Sequence, residues 1–192
     1  MIHHFSESLK KEKNFAAMAD EFYSGRLNAV NIIRYNNDTE DDMKMQRLDI
    51  DVQLTINKKV YRISEKFREK DFGDMYLEVY SKYPHRKGWM DTGSPNAVLY
   101  FTPQKVYWFT HSSLHRFYHQ LLFPCLKQEW FEQLCKSSYH ILTKKAILND
   151  SEIILHLIKA DNKEGAEWET MGVSVGYDVL KNNGVVFEVF EK

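Results

Sequence analysis

Apolar and polar side chains alternate over 48–54, where Leu48, Ile50, Val52 and Leu54 interleave with Asp49, Asp51 and Gln53. A period of two predicts a strand with one buried face. A polar Asn-Lys-Lys turn then leads into a second alternating run over 60–67. There Val60, Arg62, Ser64, Lys66 and Arg68 share one face, while Tyr61, Ile63, Glu65 and Phe67 share the other. A third run over 75–81 sets Met75, Leu77 and Val79 against Tyr76, Glu78 and Tyr80.

Helical spacing of Phe15, Met18, Ala19 and Phe22 predicts a helix over 6–25, with Ser6 or Ser8 as cap, Glu7 in the first turn and Gly25 as the stop. A short β-branched run covers 30–35, and the polar segment after it reads as a loop. Beyond the third strand, 82–96 reads as a loop, and 97–101 with 106–109 as a hairpin. Residues 112–136 are helical in pattern, divided by Pro124 into 112–122 and 125–136. One or two strands are expected in 141–158, a polar loop over 159–165, a strand over 171–175, a short helix over 177–181 and a last strand over 185–190. Strands and helices therefore come in blocks, which predicts an α+β fold with a mixed sheet and flanking helices.

Composition narrows the function classes. A chain of 192 residues that is 43% hydrophobic and 14% aromatic suits one domain with a sizeable core. Twenty-six basic against 27 acidic residues leave a net charge of −1, so nucleic-acid binding would depend on a local basic patch. The two cysteines, Cys125 and Cys135, read as reduced thiols. No signal peptide and no membrane span are expected, and a reducing cytoplasm fits best. No nucleophile elbow, P-loop or dinucleotide fingerprint is present. His111, His115 and His119 share helical spacing, but they lack an HExxH pattern or cysteines at ligand spacing and read as surface or semi-buried histidines.

The chemistry concentrates in 46–78. Hydrolysis of a phosphodiester needs a hard cation, for which carboxylate oxygens are the ligands, and a nearby lysine to orient water or offset developing charge. Asp51, the Glu65/Lys66 pair and Glu78 supply these parts if their three strands are neighbours. The competing reading is a set of solvated charges on an ordinary strand surface. Arg62, Arg68, Lys70, Lys82, Arg86 and Lys87, together with Lys58 and Lys59, surround the same stretch and could neutralise phosphates.

Ile50-Asp51-Val52, Ile63-Ser64-Glu65-Lys66, Tyr76-Leu77-Glu78-Val79, Gly88-Trp89 and the apolar 97–109 hairpin occur in an order that resembles the PD-(D/E)XK nuclease superfamily. The resemblance covers about residues 15–110. It implies a restriction-endonuclease-like core over 1–110, with a helical segment and a strand-rich C-terminal extension over 111–192 packed on the same domain. It also implies Asp51 as a metal-ligating aspartate, Lys66 as the catalytic lysine, Glu21 as the helical glutamate and Glu78 as a further acid near Mg²⁺ or Mn²⁺, with DNA as substrate. One position departs from the family pattern. Two residues before Lys66 the family carries a carboxylate, and this chain has Ser64. Either a bulge turns Glu65 into the site as ligand, or the site is weakened. Arg68 also stands where many relatives carry Gln. The alternative function is an inactive nuclease fold that binds nucleic acid or a protein partner, in an accessory or phage–host conflict role, with the aromatic helices as interface. A homodimer is compatible with either.

Overall fold

The two alternating runs close into an antiparallel hairpin in the computed structural model, which describes residues 3–36, 38–160 and 169–192, with side chains from residue 14 onward. In chain order the first elements are α1 (His3–Gly25), β1 (Asn31–Arg34), α2 (Glu40–Arg47), β2 (Val52–Ile56), β3 (Lys59–Phe67), β4 (Asp74–Lys82), β5 (Arg86–Lys87) and α3 (Trp89–Thr92). The remaining elements are β6 (Ala97–Phe101), β7 (Lys105–Thr110), α4 (His111–Phe117), α5 (Gln128–Lys136), β8 (Ile141–Leu148), β9 (Ser151–Lys159), β10 (Met171–Gly176), α6 (Tyr177–Asn182) and β11 (Phe187–Glu191). The fold is α+β, built on two sheets.

The first sheet runs β1-β2-β3-β6-β7-β11 and is mixed, because β3 and β6 pair in parallel. The second runs β5-β4-β10-β9-β8 and is antiparallel. The third predicted strand therefore forms, as β4, but it lies in the second sheet and not beside β3. Both sheets also draw on both halves of the chain: β11 closes the first, and β10 lies between β4 and β9 in the second. The expected division at residue 110 does not separate them, and the C-terminal strands are structural members of the sheets more than an extension.

Each face of the first sheet is buried for its own reason. Ala19, Phe22 and Tyr23 of α1 cover Val52, Leu54, Ile63, Ala97, Leu99 and Phe101. Burying Phe22 and Tyr23 contributes roughly 2–3 kcal/mol each before entropic costs. On the opposite face, Val98, Tyr100, Tyr107 and Phe109 join a larger core with Met75, Leu77 and Val79 of the second sheet and with Leu114, Phe117, Trp130 and Phe131 of the helical segment. The Tyr100 hydroxyl links the layers, accepting from the Tyr76 backbone N–H at 3.1 Å and from Arg68 at 2.9 Å.

Four local features differ from the sequence pattern, the first being that the expected loop over 82–96 holds β5 and α3. The polar stretch after β1 contains α2, because Thr39 caps it by accepting from the Asp42 N–H, and Glu40, Asp41 and Asp42 load its first turn with negative charge. The first strand begins at Val52, later than the alternation suggests, since Asp49 takes a left-handed conformation at φ 55°. Pro124 divides the helical region as expected, but a π-helical turn (Tyr118–Leu122) and a 3₁₀ turn (Phe123–Cys125) separate α4 from α5. The expected strands of 141–158 form a hairpin turning at Asn149 and Asp150. Most of the expected 159–165 loop lies outside the described residues. Cys125 and Cys135 are free. Among the described residues no helix is long and apolar enough to cross a membrane.

Candidate functional site

The β2–β3 hairpin sets the geometry. Asn57 and Lys58 both adopt positive φ, the turn that matches the twist of paired strands, and the register places Val52 opposite Ile63. Asp51 immediately precedes β2. Its N–H donates to the Ile63 carbonyl at 2.9 Å, and its Oδ2 accepts from the Glu65 N–H at 2.7 Å. The carboxylate is thus fixed at the strand entrance by backbone on both sides.

Asp49 is positioned by the end of α2. The N–H groups of Leu48, Asp49 and Ile50 bond back to the carbonyls of Met45 and Gln46, and Asp49 occupies the left-handed position at which helices often terminate. That reversal carries its side chain onto β3. Asp49 Oδ2 accepts from the Ser64 hydroxyl at 2.5 Å, and both its oxygens accept from Lys66 Nζ, at 2.8 and 3.0 Å. Asp49 was not singled out by the sequence, where regular alternation makes it one more outward residue beside Asp51. A signal was available: an aspartate just after a Thr39-capped, acid-led helix is a candidate cap residue.

The second sheet contributes Glu78. Gly88 leaves the room it needs, since a Cβ there would run into the Glu78 carbonyl. The turn can then place the Trp89 N–H on the Glu78 carboxylate and the Trp89 ring 5.1 Å from Lys66 Nζ. Lys66 lies between the layers, its side chain 23% exposed, within the field of Asp49, Asp51 and Glu78. Burial raises the Asp51 carboxyl to about 6; Asp49 and Glu65 add to the rise, while Lys66 and the Glu65 N–H oppose it. Burial raises Glu78 as well, against Lys66, the Trp89 N–H and Arg86. His111, at the start of α4, is within electrostatic reach of Asp49. Its pKa is lowered by burial and by His115 and raised by Asp49, and its Nε2 is buried with no partner among the described residues.

Glu65 points the other way, as strand alternation requires. Its carboxylate accepts from the Tyr23 hydroxyl at 2.5 Å and from Arg34 at 2.8 and 3.1 Å, and Arg34 also pairs with Asp20 at 2.8 Å. No bulge returns it to the Lys66 face; β3 keeps continuous register with β6 from Ile63 to Phe67. Glu21 is exposed on α1, on the side of the sheet away from Lys66, and it is Asp20 that enters the Arg34 network.

The basic residues separate similarly. Arg68 is committed to Asp74 and Tyr100 and stacks 5.2 Å from the Phe72 ring. Lys87 lies 4.7 and 4.9 Å from the rings of Tyr80 and Phe123. Arg62, Lys70, Lys82 and Arg86 are exposed. The histidines form a row, with ring separations of 5.6 Å for His111–His115 and 4.1 Å for His115–His119. Among the described residues no three His, Cys, Asp or Glu side chains converge at metal-ligand spacing. The structure thus brings Asp49, Asp51, Ser64, Lys66 and Glu78 together and leaves Glu65 and Glu21 apart from them. Comparison with family models, with curated proteins and with solved structures finds no match to this chain.

Proposed function

We propose that the chain is a metal-dependent nuclease of the PD-(D/E)XK type, hydrolysing phosphodiester bonds in DNA. The observation that carries this reading is the placement of Lys66 among three carboxylates, Asp49, Asp51 and Glu78, contributed by both sheets. A helix packed on one face of a mixed sheet, with a hairpin followed by a parallel strand, is compatible with a restriction-endonuclease-like core.

A hard divalent ion on this reading draws on one or two of these acids, since among the described residues no three converge at ligand spacing. Three acids share one ammonium, two have carboxyl groups raised by burial, and magnesium commonly takes only one or two protein carboxylates. Asp51 and Glu78 would hold Mg²⁺ or Mn²⁺, which when bound supplies Lewis-acid screening of phosphate charge and a more acidic water. Lys66, held by Asp49 and 5.1 Å from the Trp89 ring, contributes a positive charge beside the scissile phosphate. Exposed Arg62, Lys70, Lys82 and Arg86 serve phosphate binding. Glu65 has a structural role on this reading, holding Arg34 and Tyr23.

In the test, a DNA duplex is incubated with Mg²⁺ or Mn²⁺ and the wild type, Asp51→Ala or Lys66→Ala. Metal-dependent cleavage that either substitution abolishes is the expected outcome; cleavage surviving both removes the mechanism. The buried serine at position 64 favours a second reading, a nuclease fold that retains binding to nucleic acid or a protein partner without catalysis. Absence of Mn²⁺ binding by calorimetry, with Ser64→Asp no more active than the wild type, selects it.

A further inference from the structure

The α1 side of the first sheet holds a pocket, on the face away from Lys66. Parallel strands β3 and β6 end side by side at Phe67 and Phe101, where the Arg68 N–H donates to the Phe101 carbonyl at 2.8 Å. Beyond these strand ends, α1, the β6–β7 turn and Lys192 border a cavity of about 270 Å³. That volume lies just under the roughly 300–1,000 Å³ usual for ligand pockets, so a small molecule fills it. One wall is flat. Phe15 stacks on Phe67 and Phe67 on Phe101, each pair with centroids 4.8 Å apart and ring planes within 18° and 15° of parallel. We propose that this pocket binds a small planar aromatic carboxylate, its ring laid against the phenylalanine column and its carboxylate on Lys192.

Lys192 decides the charge of the occupant. Its backbone N–H donates to the Gln104 carbonyl at 2.9 Å, which ties the residue to the β6–β7 turn. The ammonium folds back over the Phe101 ring, 5.5 Å from its centroid, and donates to the Thr102 carbonyl at 2.6 Å and to Met18 Sδ at 3.5 Å. Both acceptors are neutral. Burial lowers the Lys192 pKa, and no carboxylate raises it, Glu69 on the pocket wall included. A cation partly withdrawn from water beside an apolar wall, with neutral acceptors alone, is complementary to a carboxylate. The other cation at the wall, Arg68, already serves Asp74 and Tyr100. The flat wall selects the rest of the ligand, because offset ring stacking adds to the apolar area buried and a saturated chain forgoes it.

The pocket is separate from the Lys66 cluster, so its test does not depend on nuclease activity. Binding of naphthoate and of its neutral counterpart naphthamide to the full chain is measured by calorimetry and ligand-observed NMR. The proteins are the wild type, Lys192→Gln and Met18→Trp, each checked for folding by its thermal transition. The wild type is expected to bind naphthoate with a millimolar or tighter Kd, the scale set by a ligand of its size. Naphthamide should bind roughly 10-fold more weakly, the worth of one charge-assisted hydrogen bond. Lys192→Gln, at an exposed residue, should keep the fold and bring naphthoate down to the level of the amide. Met18→Trp fills the cavity and should weaken both ligands. A wild type that shows no saturable naphthoate binding overturns the site. Equal affinity for acid and amide, or naphthoate affinity that survives Lys192→Gln, overturns the carboxylate assignment. Undiminished binding in a folded Met18→Trp overturns the pocket, and the lysine variant decides the matter alone if the tryptophan variant does not fold.

Discussion

The two faces of β3 carry acids of opposite character. On the α1 side Glu65 is 6% exposed and saturated: Tyr23 and Arg34 take its oxygens, and Asp20 shares the arginine. On the other side Asp49, Asp51 and Glu78 crowd one lysine, and burial holds two of their carboxyl groups above the normal range. The lesson concerns satisfaction more than acidity. A buried charge with its full set of partners holds the fold together, whereas acids in excess of their cations are costly unless a ligand joins them.

Removing the saturated acid has the largest expected effect on stability. Glu65→Ala leaves the Arg34 guanidinium and the Tyr23 hydroxyl underpartnered, at a cost of about 3 kcal/mol, read from urea unfolding. If it instead costs no more than an exposed substitution, the two faces are energetically alike and the contrast is broken.

An opposite sign is expected on the other face. Native Asp51, raised to about 6, keeps a proton that the unfolded chain has already released above about pH 4. Wild-type stability therefore falls through this group as pH rises from about 4 to about 6. Asp51→Asn removes the penalty and keeps an acceptor for the Glu65 N–H. It should gain about 2–3 kcal/mol over the wild type above pH 6 and nothing below about pH 4. Unfolding curves across that window check both the size and the direction. A destabilised variant at pH 7 would show that Asp51 is a structural acid like Glu65.

The smallest effect is expected at Lys70, which is exposed. Lys70→Ala should change stability by no more than about 0.5 kcal/mol. If Lys70 contacts a phosphate, the salt dependence of DNA binding should fall by about one counterion. An unchanged slope takes Lys70 out of the interface.

Much of this contrast is legible in the sequence, and its limits have physical causes. Alternation in 60–67 already opposes Glu65 to Ser64 and Lys66, because the two-residue period of a strand is rigid. The hairpin and the helical cover of α1 follow from the same local rules. The separate sheet for β4 does not, since its inner neighbour β10 is about a hundred residues distant and local pattern carries no record of such pairing. Asp49 escaped for a smaller reason: one left-handed residue interrupts the period, and alternation assumes that none does.

The interleaving of the sheets has a consequence in time. Glu78 lies on β4, and β4 gains its inner partner only when 171–176 has been synthesised and has folded back. Pairings of such long sequence separation form late, after local hairpins and helices. The α2–β2–β3 unit can therefore set Asp49 against Lys66 early, while the wall that carries Glu78 is still absent. On this scheme the emerging chain holds only half a site until residues 171–176 have been made, and any chemistry done there waits on that pairing.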